Sequence, residues 1–165
     1  MIDAVDELIA YRKQFGRLSP MLRRVHALHR RNPHLFDFLV QELRDVRASG
    51  WPCASVRSLW EHGRWVLAKL RGPDEDFAMA NELAPYYARI LCILHPEFNG
   101  YFVMNKSKAD ADFGTMIEPA TKNPKPGYIR RLLWADGTAI EHGWQPTEKH
   151  EPKAVSRRER VRRTA

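Results

Sequence analysis

Three predicted helices lie in residues 32–102, whose sequence is NPHLFDFLVQELRDVRASGWPCASVRSLWEHGRWVLAKLRGPDEDFAMANELAPYYARILCILHPEFNGYF. Each is preceded by a residue of a type that caps helices, because its side chain can accept a hydrogen bond from a free N–H group of the first turn. These capping residues are Asn32, Ser55 and Asn81. Each helix ends near glycine or proline, which terminate helices; the terminators are Gly50, Gly72 and Pro96. Apolar residues recur every three or four positions between these signals, which predicts amphipathic helices.

Two more helices are predicted before this stretch. Residues 3–15 carry apolar residues at helical spacing and acidic residues in the first turn, which the positive end of the helix dipole favours. Ser19-Pro20 is a capping residue followed by a first-turn proline, and it predicts a second helix that extends to Arg31. His26 and His29 share a face of this helix, but a metal site would need at least one more ligand.

Short strands are predicted after the helices. Residues 101–104 and 128–134 are apolar and strand-like, and Asp136-Gly137 is a hairpin signal that leads into a returning strand at 138–140. We predict mainly loop for 105–127, including Asp110 and Asp112, whose spacing is otherwise found in nucleases. The fold class is therefore mainly α: a helical bundle with a helix-turn-helix or winged-helix-like core and a small C-terminal β-hairpin.

The same signals divide the chain into four parts. We predict a basic N-terminal helical segment (1–31), a three-helix core (32–104), a loop with the β-hairpin (105–144) and a disordered basic tail (145–165). The tail has almost no residues that build a core, which is the composition of segments that stay unfolded or fold on binding.

The charge of the chain favours a polyanionic partner. Its formal net charge is +7 and its pI about 9.7, and residues 8–36 hold no Asp or Glu at all. Basic residues concentrate in that acid-free segment and in the tail, as in many nucleic-acid-binding proteins.

No enzyme or cofactor motif is found in the sequence. A P-loop, a GxSxG elbow, an HExxH helix and a CxxC pair are all missing, so we predict a non-enzymatic protein without cofactor or metal. Cys53 and Cys92 do not form a disulfide framework and are expected to be free thiols. No apolar run is long enough to cross a membrane, and the N-terminus lacks a signal-peptide pattern, so we expect a cytoplasmic protein.

The function predicted from these features is nucleic-acid binding, to duplex DNA rather than RNA. In a helix-turn-helix arrangement the helix after Ser55 or the helix after Asn81 would enter a major groove. The predicted contacts are all arginines: Arg23, Arg24, Arg30, Arg31, Arg57, Arg64, Arg89, Arg157 and Arg158.

Part of the chain resembles a pattern in small uncharacterised proteins of bacteria and their phages. The resemblance rests on four stretches: Asn32-Pro33-His34-Leu35-Phe36, residues 55–60, Tyr86-Tyr87-Ala88-Arg89 and residues 95–102. It implies a phage or mobile-element origin and supplies no site residues. Small phage proteins often bind DNA or inhibit a host protein, so the alternative function is a protein-interaction module that binds a host protein through exposed aromatic residues.

Overall fold

The fold is known from a computed structural model that describes residues 3–72, 79–104, 107–113, 117–119 and 132–134. Six α-helices lie in these ranges: α1 (Ala4–Lys13), α2 (Pro20–Arg31), α3 (Pro33–Ala48), α4 (Val56–Arg71), α5 (Ala84–Leu94) and α6 (Lys108–Phe113). There are also two 3-10 turns, Asn81–Leu83 and Pro96–Phe98, and four strands of two or three residues: β1 (Ala54–Ser55), β2 (Phe102–Val103), β3 (Ile117–Pro119) and β4 (Leu132–Trp134). The predicted mainly α class is confirmed.

The helix starts follow the capping signals of the sequence at Ser19 and Ser55 but not at Asn32 or Asn81. Asn81 lies inside a 3-10 turn that precedes α5, and its side chain caps neither element. Ser19 Oγ accepts from Leu22 N at 3.0 Å and Ser55 Oγ accepts from Ser58 N at 3.3 Å. Asn32 instead donates through its side chain to the Leu28 carbonyl at 2.9 Å, so it ends α2 rather than capping α3. A single residue therefore separates these two helices.

Helix α5 is the central element of the core. Residues 86–93 are all buried, and the helix packs against α1, α2, α4 and α6. Its sequence contains one charged residue, Arg89, so it has no polar face to turn towards solvent. Burial of this helix contradicts its predicted entry into a DNA groove and the predicted contact by Arg89, which is 1% exposed.

Gly63 allows α3 and α4 to approach closely. A Cβ added at Gly63 would lie 3.3 Å from Leu39 Cδ2 and 3.5 Å from Leu35 Cδ1. Glycine lowers helix stability by about 1 kcal/mol relative to alanine. The close packing that glycine permits here offsets that loss. This contact places the opposite face of α4 at the surface.

The described strands do not confirm a winged-helix core. β1 pairs in parallel with β2, and the chain between these two strands contains α4 and α5. Ala54 N donates to the Tyr101 carbonyl at 2.9 Å. β4 lies within the strand predicted at 128–134, and it pairs antiparallel with β3. The returning strand predicted at 138–140 and the tail at 145–165 lie outside the described residues.

The segment predicted as loop at 105–127 contains a helix that is anchored to the core. On α6, Asp110 pairs with Arg89 at 3.0 Å, and Asp112 accepts from Ser19 Oγ at 2.7 Å. Arg12 Nε donates to the Asp112 backbone carbonyl. Burial, followed by a hydrogen bond to Asp112, raises the pKa of Tyr86 to about 12. Both aspartates therefore have partners in the helical core.

Candidate nucleic-acid interface

Two histidine–aspartate pairs hold α1 and α2 together as an antiparallel hairpin. His26 Nε2 lies 2.7 Å from Asp6 Oδ1, and His29 Nε2 lies 2.9 Å from Asp3 Oδ1. The two histidines are three residues apart on α2, and Asp6 is three residues after Asp3, the N-cap of α1, so one register satisfies both pairs. These contacts account for His26 and His29, and the described ranges hold no group of three residues suited to a metal ion.

The outer face of α2 presents four of the predicted arginines together. The opposite face is buried through Leu22, Val25, Leu28 and His29. At helical spacing this burial turns the remaining positions to solvent, and the exposed arginines there are Arg23, Arg24, Arg30 and Arg31. The face is strongly basic because the segment from residue 8 to 36 lacks acidic residues.

A cavity of about 520 Å³ lies beside this face, where α1 turns into α2. Its lining includes the cations Lys13, Arg17 and Arg23, together with His26. Gly16 has a φ of 138°, which a residue with a side chain rarely adopts, and it lies in the turn that leads through Arg17 to the start of α2. Lys13 lies in the last turn of α1, where the helix dipole favours a positive charge.

Most of these cations have no ion pair within the described part of the chain. Arg24 is the exception on α2, with an exposed contact to Glu82 at 2.5 Å, and such surface pairs contribute about 0–1 kcal/mol. No described carboxylate pairs with Lys13, Arg17, Arg23, Arg30 or Arg31. Asp6, on the neighbouring helix α1, is bonded to His26. We call the set Lys13, Arg17, Arg23, Arg30 and Arg31 the basic face.

The other predicted contact residues lie elsewhere. Arg57 is exposed in the first turn of α4. Arg64 is partly buried, pairs with Glu61 at 3.0 Å and donates to Asn81 Oδ1. Arg89 is 1% exposed and pairs with Asp110, so it supports the core and is not at the surface. Arg157 and Arg158 lie outside the described residues.

Lys13 and Arg17 were absent from the predicted contacts, although the structure places them beside Arg23. Both belong to the acid-free segment, whose composition already indicated a basic surface. What the sequence did not show is that the turn after Lys13 directs them to the same cavity. That convergence depends on the backbone of residues 14–19 rather than on helical spacing.

Comparison with family models, with curated proteins and with solved structures finds no match to this chain. The resemblance to small phage and bacterial proteins stays a prediction. None of the helices in the described ranges has the length and apolar character needed to span a bilayer.

Proposed function

We propose that this chain binds nucleic acid, duplex DNA in particular, through the basic face of α1 and α2. The observation that supports the proposal is the convergence of Lys13, Arg17 and Arg23 around one cavity. Phosphate groups bind preferentially where several cations meet, because the release of counterions drives association. Arginine adds planar, bidentate hydrogen bonding to phosphate oxygens.

The basic face continues along α2 beyond the cavity. Arg23 and Arg30 are seven residues apart, which separates them by roughly 10 Å along the helix and keeps them on one side. The face is therefore long enough to contact more than one phosphate of a duplex. Its exposed residues are suited to the phosphate backbone, so the proposed binding depends little on base sequence.

Direct titration tests this proposal. Fluorescence anisotropy of a labelled random duplex would be measured with the full chain at two salt concentrations. The variant Arg23→Gln/Arg30→Gln should bind at least about tenfold more weakly at the lower salt, and its plot of log affinity against log salt should be shallower by about 1.8, since each phosphate contact contributes about 0.9.

The matched control is Arg44→Gln/Lys69→Gln, which removes the same charge from exposed positions on α3 and α4. We expect this control to keep most of the affinity. An equal loss in both double variants would show that net charge alone drives binding and would overturn the assignment to the basic face. A parallel titration with duplex RNA separates the two nucleic acids.

A second candidate function, binding of a host protein, is favoured by the outer face of α4. Trp65 is 67% exposed in the middle of this helix, beside the exposed positions His62 and Lys69. Exposed tryptophans are typical anchors of protein interfaces. A partner held by Trp65 should be lost from a pull-down with Trp65→Ala and should persist at high salt, whereas DNA binding should be unaffected by this substitution and weakened by salt.

A further inference from the structure

A second cavity, of about 620 Å³, lies where α4 and α5 begin. The α4 side contributes Ser55, Arg57 and Trp60, and the α5 side contributes Pro85. Met104, which follows β2, completes an apolar part of the wall. Cavities of this size are typical of small-molecule sites.

The electrostatics of this cavity favour an anion. Residues from the first turns of both helices line the cavity, and the N-terminal end of a helix carries partial positive charge. Arg57 lines the cavity, is exposed and has no ion pair with any described residue. Arg89 also lines it, but its charge is balanced by Asp110 at 3.0 Å. The uncompensated charge therefore comes from Arg57 and the helix ends.

Trp60 is the buried aromatic residue in the wall of this cavity. Only 2% of its surface is exposed. Its ring packs on Tyr87, with 5.0 Å between the ring centroids. The buried Nε1–H has no acceptor among the described residues, and a buried donor without an acceptor is unfavourable. This Nε1–H is itself inaccessible to solvent, so a ligand in the cavity would reach it only if the Trp60 side chain moved.

We propose that this cavity binds a small molecule in which an oxyanion, phosphate or carboxylate, is attached to an apolar body. The oxyanion lies beside Arg57 and the start of α4, and the apolar body lies against Pro85 and Met104. This site is separate from the basic face, which is formed by α1 and α2. A negative result for nucleic-acid binding would therefore leave this proposal unaffected, and the reverse also holds.

Nuclear magnetic resonance of the ¹⁵N-labelled full chain tests the proposal with defined probes. Phenyl phosphate and benzoate represent the two oxyanions, and benzyl alcohol is the neutral control. The reporters are the Trp60 indole N–H, assigned with Trp60→Phe, and the backbone amides of Ser55 and Arg57. We expect saturable shifts of these signals with phenyl phosphate, benzoate or both, and the stronger of the two identifies the preferred oxyanion.

The variant Arg57→Gln should weaken binding of the anionic probes about tenfold, as expected for loss of a charged hydrogen bond. The control Arg44→Gln should bind them as the unmodified chain does. Because Arg57 is exposed, Arg57→Gln is expected to fold. If Trp60→Phe does not fold, the indole signal cannot be assigned, and binding is then measured from the backbone amides of Ser55 and Arg57. Equal binding of benzyl alcohol, an unchanged affinity in Arg57→Gln, or no saturable shift at millimolar concentrations would each overturn the proposal.

Discussion

Arg89 and Asp110 form a buried ion pair in which Nε and one Nη of the guanidinium each lie 3.0 Å from the same carboxylate oxygen. The Arg89 side chain is 2% exposed and that of Asp110 is 12% exposed. Arg89 also donates to the Pro85 carbonyl at 3.1 Å. The pair joins the central helix α5 to the short helix α6, so neither partner can be removed without leaving the other in a largely dry environment.

Removal of the carboxylate should strongly destabilise the fold. Asp110→Ala leaves the Arg89 charge buried without its partner, which typically costs about 3–5 kcal/mol. Urea unfolding of the full chain, followed by circular dichroism, measures this loss. Lys108→Ala, an exposed position on the same helix, is the control and should change the free energy of unfolding little. A similar loss in both variants would show that α6 contributes through helix formation rather than through the ion pair.

The close approach of α3 and α4 makes Gly63 sensitive to side-chain size. Gly63→Val should destabilise the fold by about 1–3 kcal/mol, because it inserts atoms into a contact that is already tight at 3.3 Å from Leu39. Gly63→Ala should be nearly neutral, since its helix-propensity gain of about 1 kcal/mol offsets a smaller steric cost. Thermal unfolding compares the two with Ala68→Val on the exposed face of α4. If Gly63→Val and Ala68→Val unfold alike, the contact with α3 is not limiting.

The two cysteines should differ in reactivity. Burial raises the pKa of the Cys92 thiol to about 12, and the thiolate is the reactive species. Cys53 is only partly buried. We expect a thiol reagent to modify one cysteine in the native chain and both in urea. In Cys53→Ala the native chain should show no rapid modification; rapid reaction of this variant would mean that the α5 core opens readily.

His95 should make the fold less stable in acid. Burial among the neighbouring side chains lowers the pKa of His95, and the nearby Glu97 opposes this only in part. A histidine with a lowered folded-state pKa stays neutral when folded, so the unfolded chain binds the proton first as the pH falls through 6.5. Its contribution to stability is therefore present above 6.5 and is lost below it.

The variant His95→Gln cannot take up this proton, which separates the effect from other titrating groups. Relative to the unmodified chain, we expect it to become progressively more stable as the pH is lowered through 6.5. Urea unfolding of both proteins across this range gives the difference directly. A difference that is constant with pH would contradict the lowered pKa.

The sequence predicted the parts of the fold that depend on local interactions. Ser19 and Ser55 cap their helices as expected because a capping hydrogen bond spans only three residues. These features need no knowledge of distant residues.

The parts that were mispredicted depend on contacts between distant residues. Arg89 is buried because Asp110, 21 residues later, neutralises it. That aspartate lies on a helix of six residues, which is too short to be recognised by periodicity and is held by its partners in the core. The basic face was predicted in part: α2 placed four arginines together by spacing, whereas the meeting of Lys13 and Arg17 with Arg23 required the turn at Gly16.

The contact between Arg12 and Asp112 spans 100 residues of sequence, and this separation orders events during synthesis. At about 5–20 residues per second, a ribosome needs roughly 5–20 s to extend the chain from the first residue to the second. The α1–α2 hairpin can form early through its own histidines and aspartates. The guanidinium of Arg12, however, acquires its acceptor only after α6 has been made. The nascent chain therefore holds an incompletely bonded hairpin until almost all of the helical core has been synthesised.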